Sequence, residues 1–387
     1  MTESPTKPHP QGTPAQRGYR MPAEWELHTA TWLSWPRREG VSFPGRGAYD
    51  KAMPALAKMV HALAESEAVH INVCDAAHET DVKRILSRAG AKISHVTFHR
   101  IPINEPWCRD HGPIFVTRKE DPKLVALDWD YNAWGCKYPP FDDDDYVPTA
   151  IAEKFGIPVE YPGMILEGGS IDVNGSGLLL TTRSCLLNPN RNPDLTQHDI
   201  EQRLRNWLGI QEVLWLGDGI EGDDTDGHID DIARFVSDDE IVCAYEEDEN
   251  DPNYEPLRAN FDFLAGLTSK GSTPAAKRAL VRHAEEDGDN DPDAGEEDSP
   301  LARFEVHKLP MPQKISRDGQ RLPASYANFY IGNKVILLPT FADTNDKWAS
   351  AIMEKAFPGR RVASIDCREL IWGLGAFHCL TQQMPAV

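Results

Sequence analysis

Cys379, in the run Phe377-His378-Cys379-Leu380-Thr381, is a thiol that stands far downstream of a histidine and several acids. Those are His228 and Asp230 in Asp226-Gly227-His228-Ile229-Asp230, Asp110 in Trp107-Cys108-Arg109-Asp110, and Glu167 in Leu166-Glu167-Gly168-Gly169. A thiol, a base and carboxylates are the parts of an enzyme that attacks a cationic carbon centre. Each also has a plainer reading on its own. A lone cysteine is usually a small buried hydrophobe. His228 and Asp230 could form the polar end of a strand, where residues two apart share a face. Asp110 could be half of a salt bridge before the turn at Gly112-Pro113, and Glu167 a turn residue. Trp107 and Trp134 could be core or lid aromatics. Asp110, His228 and Asp230 could instead ligate a metal, although no His-Glu-x-x-His spacing is present.

These residues need elements to bring them together, and the sequence offers a repeated one. Gly112-Pro113-Ile114-Phe115-Val116 leads to a second apolar run at Leu124–Leu127. Gly169–Val173 leads through Asn174-Gly175, a hairpin signal, to Gly177–Leu180. Gly227–Asp230 leads through Arg234-Phe235-Val236 to Ile241–Ala244, and Asn328–Ile331 leads through Gly332-Asn333 to Val335–Leu338. Gly112 to Gly169 is 57 positions and Gly169 to Gly227 is 58, whereas the next start near Ala327 comes 100 positions on. The excess marks an insertion in a repeat array. It holds the acidic runs 285–293 and 296–298, too charged to bury, and predicts a flexible loop at about 268–299. Thr29–Trp35 and Phe377–Thr381 remain as orphan strands. If they pair, the first and last strands close a ring of five units and leave no exposed sheet edge. Helices are expected at Tyr49–Ser66, where Met53, Leu56, Met59, Val60 and Leu63 carry helical spacing, and at His78–Ala89, His198–Leu208 and Lys347–Phe357. Asp110, Glu167, His228 and Cys379 each stand at or beside the start of a different unit. In a ring these starts converge on one polar, concave site near the axis.

Composition sets the limits. The chain has 387 residues, 40% hydrophobic and 26% charged, with 61 acidic against 40 basic side chains and a net charge of -21. That balance disfavours nucleic acid and anionic membrane surfaces and favours the approach of a small cation. No apolar run approaches the ~18 residues of a membrane span. Residues 1–20, rich in Pro, Gln and Thr, read as a disordered tail, and 21–387 as a single domain. The seven cysteines are dispersed without a Cys-x-x-Cys pair, which predicts reduced thiols and a cytoplasmic setting. Asp142–Asp145 and Glu246–Asp251 read as solvated charge runs.

From about Arg20 onward the chain resembles the agmatine deiminase family, within the guanidine-modifying superfamily that includes arginine deiminases and bacterial-type peptidylarginine deiminases. The resemblance rests on Met21–Glu26 with Trp32–Pro36, Trp107–Pro113, Glu167–Ile171, Leu187–Pro193, Trp215–Ile220, Asp226–Asp230 and His378–Gln383, in that order. Two positions depart from the family pattern. Ala376 stands where an asparagine precedes the Ile-His-Cys of the family, and Asp224 stands where a glutamate precedes Thr-Asp-Gly-His.

The resemblance implies an α/β fold, a five-bladed α/β propeller of pseudo-fivefold ββαβ repeats. It implies hydrolytic deimination of a small cationic guanidine, with agmatine and water giving N-carbamoylputrescine and ammonia in polyamine (putrescine) biosynthesis. Cys379 would be the nucleophile and His228 the acid and base. Asp110 and Asp230 would clamp the guanidinium, Glu167 would orient His228, Trp107 would stack on the substrate, and Asp224 would help hold its distal amine. No metal or organic cofactor is implied; the expected partner is the substrate alone, with no nucleic acid or membrane, and a homo-oligomer is permitted. Arginine or peptidylarginine is the alternative substrate, and arginine would need a cation for its carboxylate that the sequence does not reveal. A metal-dependent hydrolase and a non-catalytic binding propeller are the rival classes. Loss of activity on thiol alkylation, with no effect of chelators, separates the cysteine enzyme from the first. The second should have lost the thiol or the histidine.

Overall fold

A computed structural model describes residues 11–45, 47–268 and 305–387. Five sheets share one build: an antiparallel pair of strands, then a crossover to a third strand parallel to the second. In the second sheet Ile114–Thr117 pairs with Leu124–Leu127, and Val159–Glu160 joins after the Val147–Phe155 helix. The third sheet orders Asp172–Val173, Leu178–Thr182 and Glu212–Leu216. The fourth orders Ala233–Phe235, Glu240–Tyr245 and Glu305–Pro310. The fifth orders Tyr330–Ile331, Val335–Thr340 and Arg361–Asp366. In the first sheet the antiparallel partner of His28–Ser34 is Thr381–Pro385, and Ala68–Val73 and Val96–Arg100 follow in parallel. The first expected orphan strand therefore does pair with the C-terminal segment, but the partner is Thr381–Pro385, and of the expected Phe377–Thr381 only Thr381 takes part.

Local chemistry explains these elements. Asn174 accepts from the backbone of Ser176 and Leu178 at 2.9 and 3.0 Å while Gly175 sits at φ 74°, which turns the third sheet's hairpin. Thr196 and Asp199 form a reciprocal capping box at the start of the Gln197–Leu208 helix, and Gly209 at φ 70° ends it. The expected helices appear at Ala48–Leu63, Ala76–Arg88, Gln197–Leu208 and Asp346–Ala356. The apolar faces of these helices and of the sheets fill cores with fully buried Trp32, Met53, Phe235 and Phe329.

Three expectations are corrected. Residues 11–20 are not a free tail. Ala15–Arg17 forms a 3-10 turn, Tyr19 is buried between Arg17 and Arg118, and Arg20 pairs with Thr117. A buried aromatic and two backbone bonds outweigh the Pro-rich composition; residues 1–10 lie outside the described residues. The run Asp142–Asp145 is a helical turn with Asp144 buried. Asp144 accepts from the backbone of Asn104 and Glu105 and lies 3.0 Å from His111 Nδ1. Finally, Cys379 and His228–Asp230 are not in strands. Cys379 lies in the one-turn helix Phe377–Leu380, and Ile229–Asp231 is a 3-10 turn. The acidic segment expected at about 268–299 falls, beyond Thr268, outside the described residues.

Candidate active site

Four short turns that precede strands carry the site. The Cys108–His111 helix packs on the Gly168–Ser170 turn, which packs on the Ile229–Asp231 turn; the Phe377–Leu380 helix packs back on Cys108–His111. Asn328, at the entry of the fifth sheet, joins the last two: its amide donates to Asp231 and its backbone oxygen accepts from His378. The starts of the units thus meet, as their spacing predicts.

The backbone at His228 is aimed by a local device. Asp226 and Gly227 take φ of 70° and 102°, and Asp223 accepts from the N–H groups of Gly227 and His228, both at 3.0 Å. That carboxylate stops the chain from entering the ladder early and turns His228 inward. Its nearest charged partner is Asp110 Oδ1 at 3.7 Å from Nδ1. Asp110 is fixed by the Gly169 N–H at 3.0 Å and Trp134 Nε1 at 3.1 Å. Gly169 is required by space. A β-carbon there would lie 2.6 Å from His228 Nδ1, 2.7 Å from Asp110 Oδ1 and 3.1 Å from Asp230 Oδ2.

Asp230 points its Oδ2 at His378 Nδ1, 2.7 Å away, and the other ring nitrogen of His378 lies 2.8 Å from Glu24. Its Oδ1 is buried with no hydrogen-bond partner among the described residues. Cys379 Sγ lies 3.0 Å from Asn328 Nδ2 and 3.5 Å from Asp230 Oδ2. Glu167 departs from the expected contact. Its Oε1 pairs with Arg191 Nε at 2.6 Å and its Oε2 is unpartnered, with no direct hydrogen bond to His228. It acts on the ring by proximity: Glu167, Cys185 and His228 offer ligand-type atoms within 4.8 Å of one another. That trio, and not Asp110, His228 and Asp230, is the one grouping of metal-ligating type among the described residues. Arg191 already neutralises Glu167, which makes an ion pair behind the histidine the simpler reading.

Burial and charge set the protonation states. Burial pushes the Asp110 carboxyl up to about 6; His228 pulls it down, while Asp230 and Glu167 add to the rise. Burial opposes a charged His228, yet Asp110, then Cys185 and Glu167, hold its pKa well above the usual histidine range. The Cys379 thiol is pushed well above its ordinary value, first by burial and then by Asp230, Asp231 and Asp110. Asp230 lies below the usual carboxylate range because the His378 hydrogen bond and charge outweigh its burial.

A cavity of about 230 Å³ opens above these groups, with Cys379 and Asp110 in its wall beside Trp107, Trp134 and Trp372. Trp107 is anchored through Nε1 to Ser42 Oγ at 3.0 Å. Asp224 lines the same cavity and accepts from the Tyr138 hydroxyl. Among the described residues every charged side chain of the lining is acidic: Glu105, Asp110 and Asp224. Lys137 stands nearby but is held by Asp226 Oδ1 at 2.9 Å and the Asp224 carbonyl at 2.6 Å.

A family profile described as the Porphyromonas-type peptidyl-arginine deiminase matches residues 20–291 and 294–385. The chain belongs to this family. A Legionella pneumophila (strain Paris) protein provisionally named agmatine deiminase is 35% identical over 376 residues, 96% of this chain and 97% of that one. A structure of the agmatine deiminase of Enterococcus faecalis, described as catalysing its reaction, aligns with TM-score 0.79 at 31% identity, over 97% of this chain and 98% of that one. An agmatine deiminase of C. jejuni, a cysteine-to-serine variant with substrate bound, aligns with TM-score 0.77 at 28% identity, over 95% and 96% of the two chains. The resemblance drawn from the motifs is borne out, and the mixed α/β fold is that of agmatine deiminase structures.

The structure brings Cys379, His228, Asp110, Asp230 and Glu167 together, and sets Trp107 and Asp224 in the cavity above them. It also adds residues that the sequence did not single out for the site. Arg191 had a signal, since it lies in the Asn-Pro-Asn-Arg motif. Cys185 and Asn328 had none beyond their places beside strands.

Proposed function

We propose that this family member hydrolyses a small guanidinium compound, with agmatine the leading substrate, through a covalent bond to Cys379. The observation that carries the reading is the cavity: its charged lining among the described residues is acidic and it reaches a buried thiol beside paired carboxylates. Agmatine has a guanidinium at one end and an ammonium at the other, and no carboxylate to repel. Asp110 and the unpartnered Oδ1 of Asp230 suit the planar N–H fork of the guanidinium. Asp224 is placed to take the ammonium. Free arginine would bring a carboxylate to a wall that offers no unpaired cation among the described residues. We further read the five sheets as five blades about one axis, in line with their shared build.

The free site disfavours the thiolate, because three carboxylates surround the sulfur. A bound guanidinium reverses the local sign and promotes ionisation. The thiolate attacks the central carbon, a C–S bond forms, and the tetrahedral adduct expels ammonia as His228 donates a proton. Water then attacks the S-alkylthiouronium, His228 takes its proton, and the C–S bond breaks to release the ureido product and the thiol. Substrate cation plus water balances to neutral urea plus ammonium. Trp107 offers a flat face to the planar group.

The test is a ureido-product and ammonia assay on agmatine, free arginine and a C-terminal arginyl peptide. We expect kcat/KM for agmatine to exceed the other two by at least about a hundredfold, the scale of a single unpaired-charge penalty. Faster turnover of arginine would overturn the substrate assignment, and turnover of none would overturn the reaction.

A further inference from the structure

Asn328 is 1% exposed and uses every polar atom of its side chain. Its Oδ1 faces three backbone N–H groups of the segment that carries the thiol: Ala376 at 3.2 Å, His378 at 3.2 Å and Cys379 at 3.4 Å. Its Nδ2 faces Asp231 Oδ1 at 3.1 Å and Cys379 Sγ at 3.0 Å. The orientation of the amide is forced. Backbone N–H groups can only donate, so the atom facing three of them is the oxygen, and the NH2 is left for the carboxylate and the sulfur. One hydrogen goes to Asp231 and the other to Cys379.

We propose that Asn328 is a positioning residue for Cys379, its carbonyl oxygen pinning the turn that bears the thiol and its amide hydrogen holding and stabilising the thiolate. The rest of the surroundings show why such a donor matters. Asp230 and Asp231 face the sulfur from the Ile229–Asp231 turn and Asp110 from the Cys108–His111 helix, each opposing a negative sulfur. His378 is hydrogen-bonded to Asp230 and Glu24, and His228, whose nearest carboxylate is Asp110 at 3.7 Å, makes no hydrogen bond to the sulfur. Among the described residues the two groups within hydrogen-bond reach of Sγ are Asn328 and Asp230, and Asn328 is the donor. The absence of an asparagine at position 376 gives the anchor added meaning. Ala376 has no polar side chain, and its backbone N–H is tied down by Asn328 instead.

The proposal rests on Cys379 as the reactive thiol but can be tested without substrate. The pH dependence of Cys379 alkylation by iodoacetamide would be followed on the intact protein, with the modified peptide identified by mass spectrometry so that other thiols do not contribute. Only the thiolate reacts. Asn328→Asp is close to the same shape and keeps the oxygen that anchors the turn, but removes the donor. It should raise the alkylation midpoint by about one pH unit or more, so that the rate at a fixed pH below it falls about tenfold. Asn328→Ala should raise the midpoint as well, and lower Tm because three backbone donors lose their acceptor. Unchanged midpoints in either folded variant would overturn the proposal. If wild-type protein turned over no guanidine, a shifted midpoint in the variants would still support it, so the two readings fail separately.

Discussion

Exchanging the Cys379 sulfur for oxygen alters one atom in a packed site and removes the thiol that lines the cavity. Cys379→Ser should fold with an unchanged circular dichroism spectrum and lose at least about a thousandfold in ammonia release, as covalent catalysis requires. Near-normal turnover would refute the covalent route. The Asp110 carboxyl, pushed up to about 6 by burial, supplies the second prediction at this scale. Below that pH it is neutral and holds a cation poorly, so kcat/KM for agmatine should climb as pH rises through about 6 and level off above it. A flat profile from pH 5 to 7 would count against its role in the clamp. The sign for stability is opposite. The folded state prefers the protonated acid, so the contribution of Asp110 to stability is lost as pH rises from about 4 to about 6. Asp110, Glu167, His228 and Cys379 were legible as a group because each stands at or beside the start of a different unit, and Asp230 lies two residues past His228. Asn328 was not, since an amide has no distinctive pattern and its five contacts span 48 to 97 positions.

Turns, not strands, hold the chemistry at the level of elements, and they explain the main misreading. His-x-Asp alternation predicts one strand face; Asp223, five residues before His228, captures two backbone donors and imposes a 3-10 turn. A side chain competing for backbone groups leaves little trace in hydrophobic periodicity. Hairpins and amphipathic helices were legible for the converse reason, because their patterns repeat along the chain. Gly169 gives a sharp test of the turns. Its φ is not in the left-handed region, so alanine suits the backbone, but the added carbon would fall among His228, Asp110 and Asp230. Gly169→Ala should cost at least about a hundredfold in kcat, the scale of a misplacement near 1 Å, while Tm moves by only a few degrees. Full activity in this variant would mean that the three groups do not work at that spacing.

Over the whole molecule, a buried charge centre links several of the sheets. Glu24 binds Arg109 at 2.9 Å, His378 at 2.8 Å and Arg234 at 3.1 Å, and accepts from the Ile331 N–H at 2.8 Å. Arg234 continues to Asp172 at 3.2 Å, and Arg109 to Gln382 and Gln383, both at 2.8 Å. One carboxylate therefore ties the segment before the first sheet to parts of the second, fourth and fifth and to the closing strand. Glu24→Gln leaves two arginines and a histidine short of charge and should destabilise the fold by about 3–5 kcal/mol, read as a lowered denaturation midpoint. Retained wild-type stability would show that the cluster is not a keystone. The repeated build of the five sheets was legible from strand spacing, but this centre was not, since its charges come from Glu24, Arg109, Asp172, Arg234 and His378, far apart in sequence. The pairing of His28–Ser34 with Thr381–Pro385 also has a temporal consequence. Chains emerge from the ribosome at about 5–20 residues per second and fold from the N-terminal side. Asp110, Glu167, His228 and Asp230 are all made before Cys379, and the first sheet waits with an unfilled edge for a strand made later still. A nascent chain thus collects its carboxylates and histidine as an inert cradle. On the proposed mechanism the site is finished in a single late event, when the strand that fills the first sheet's open edge brings in the sulfur just ahead of it.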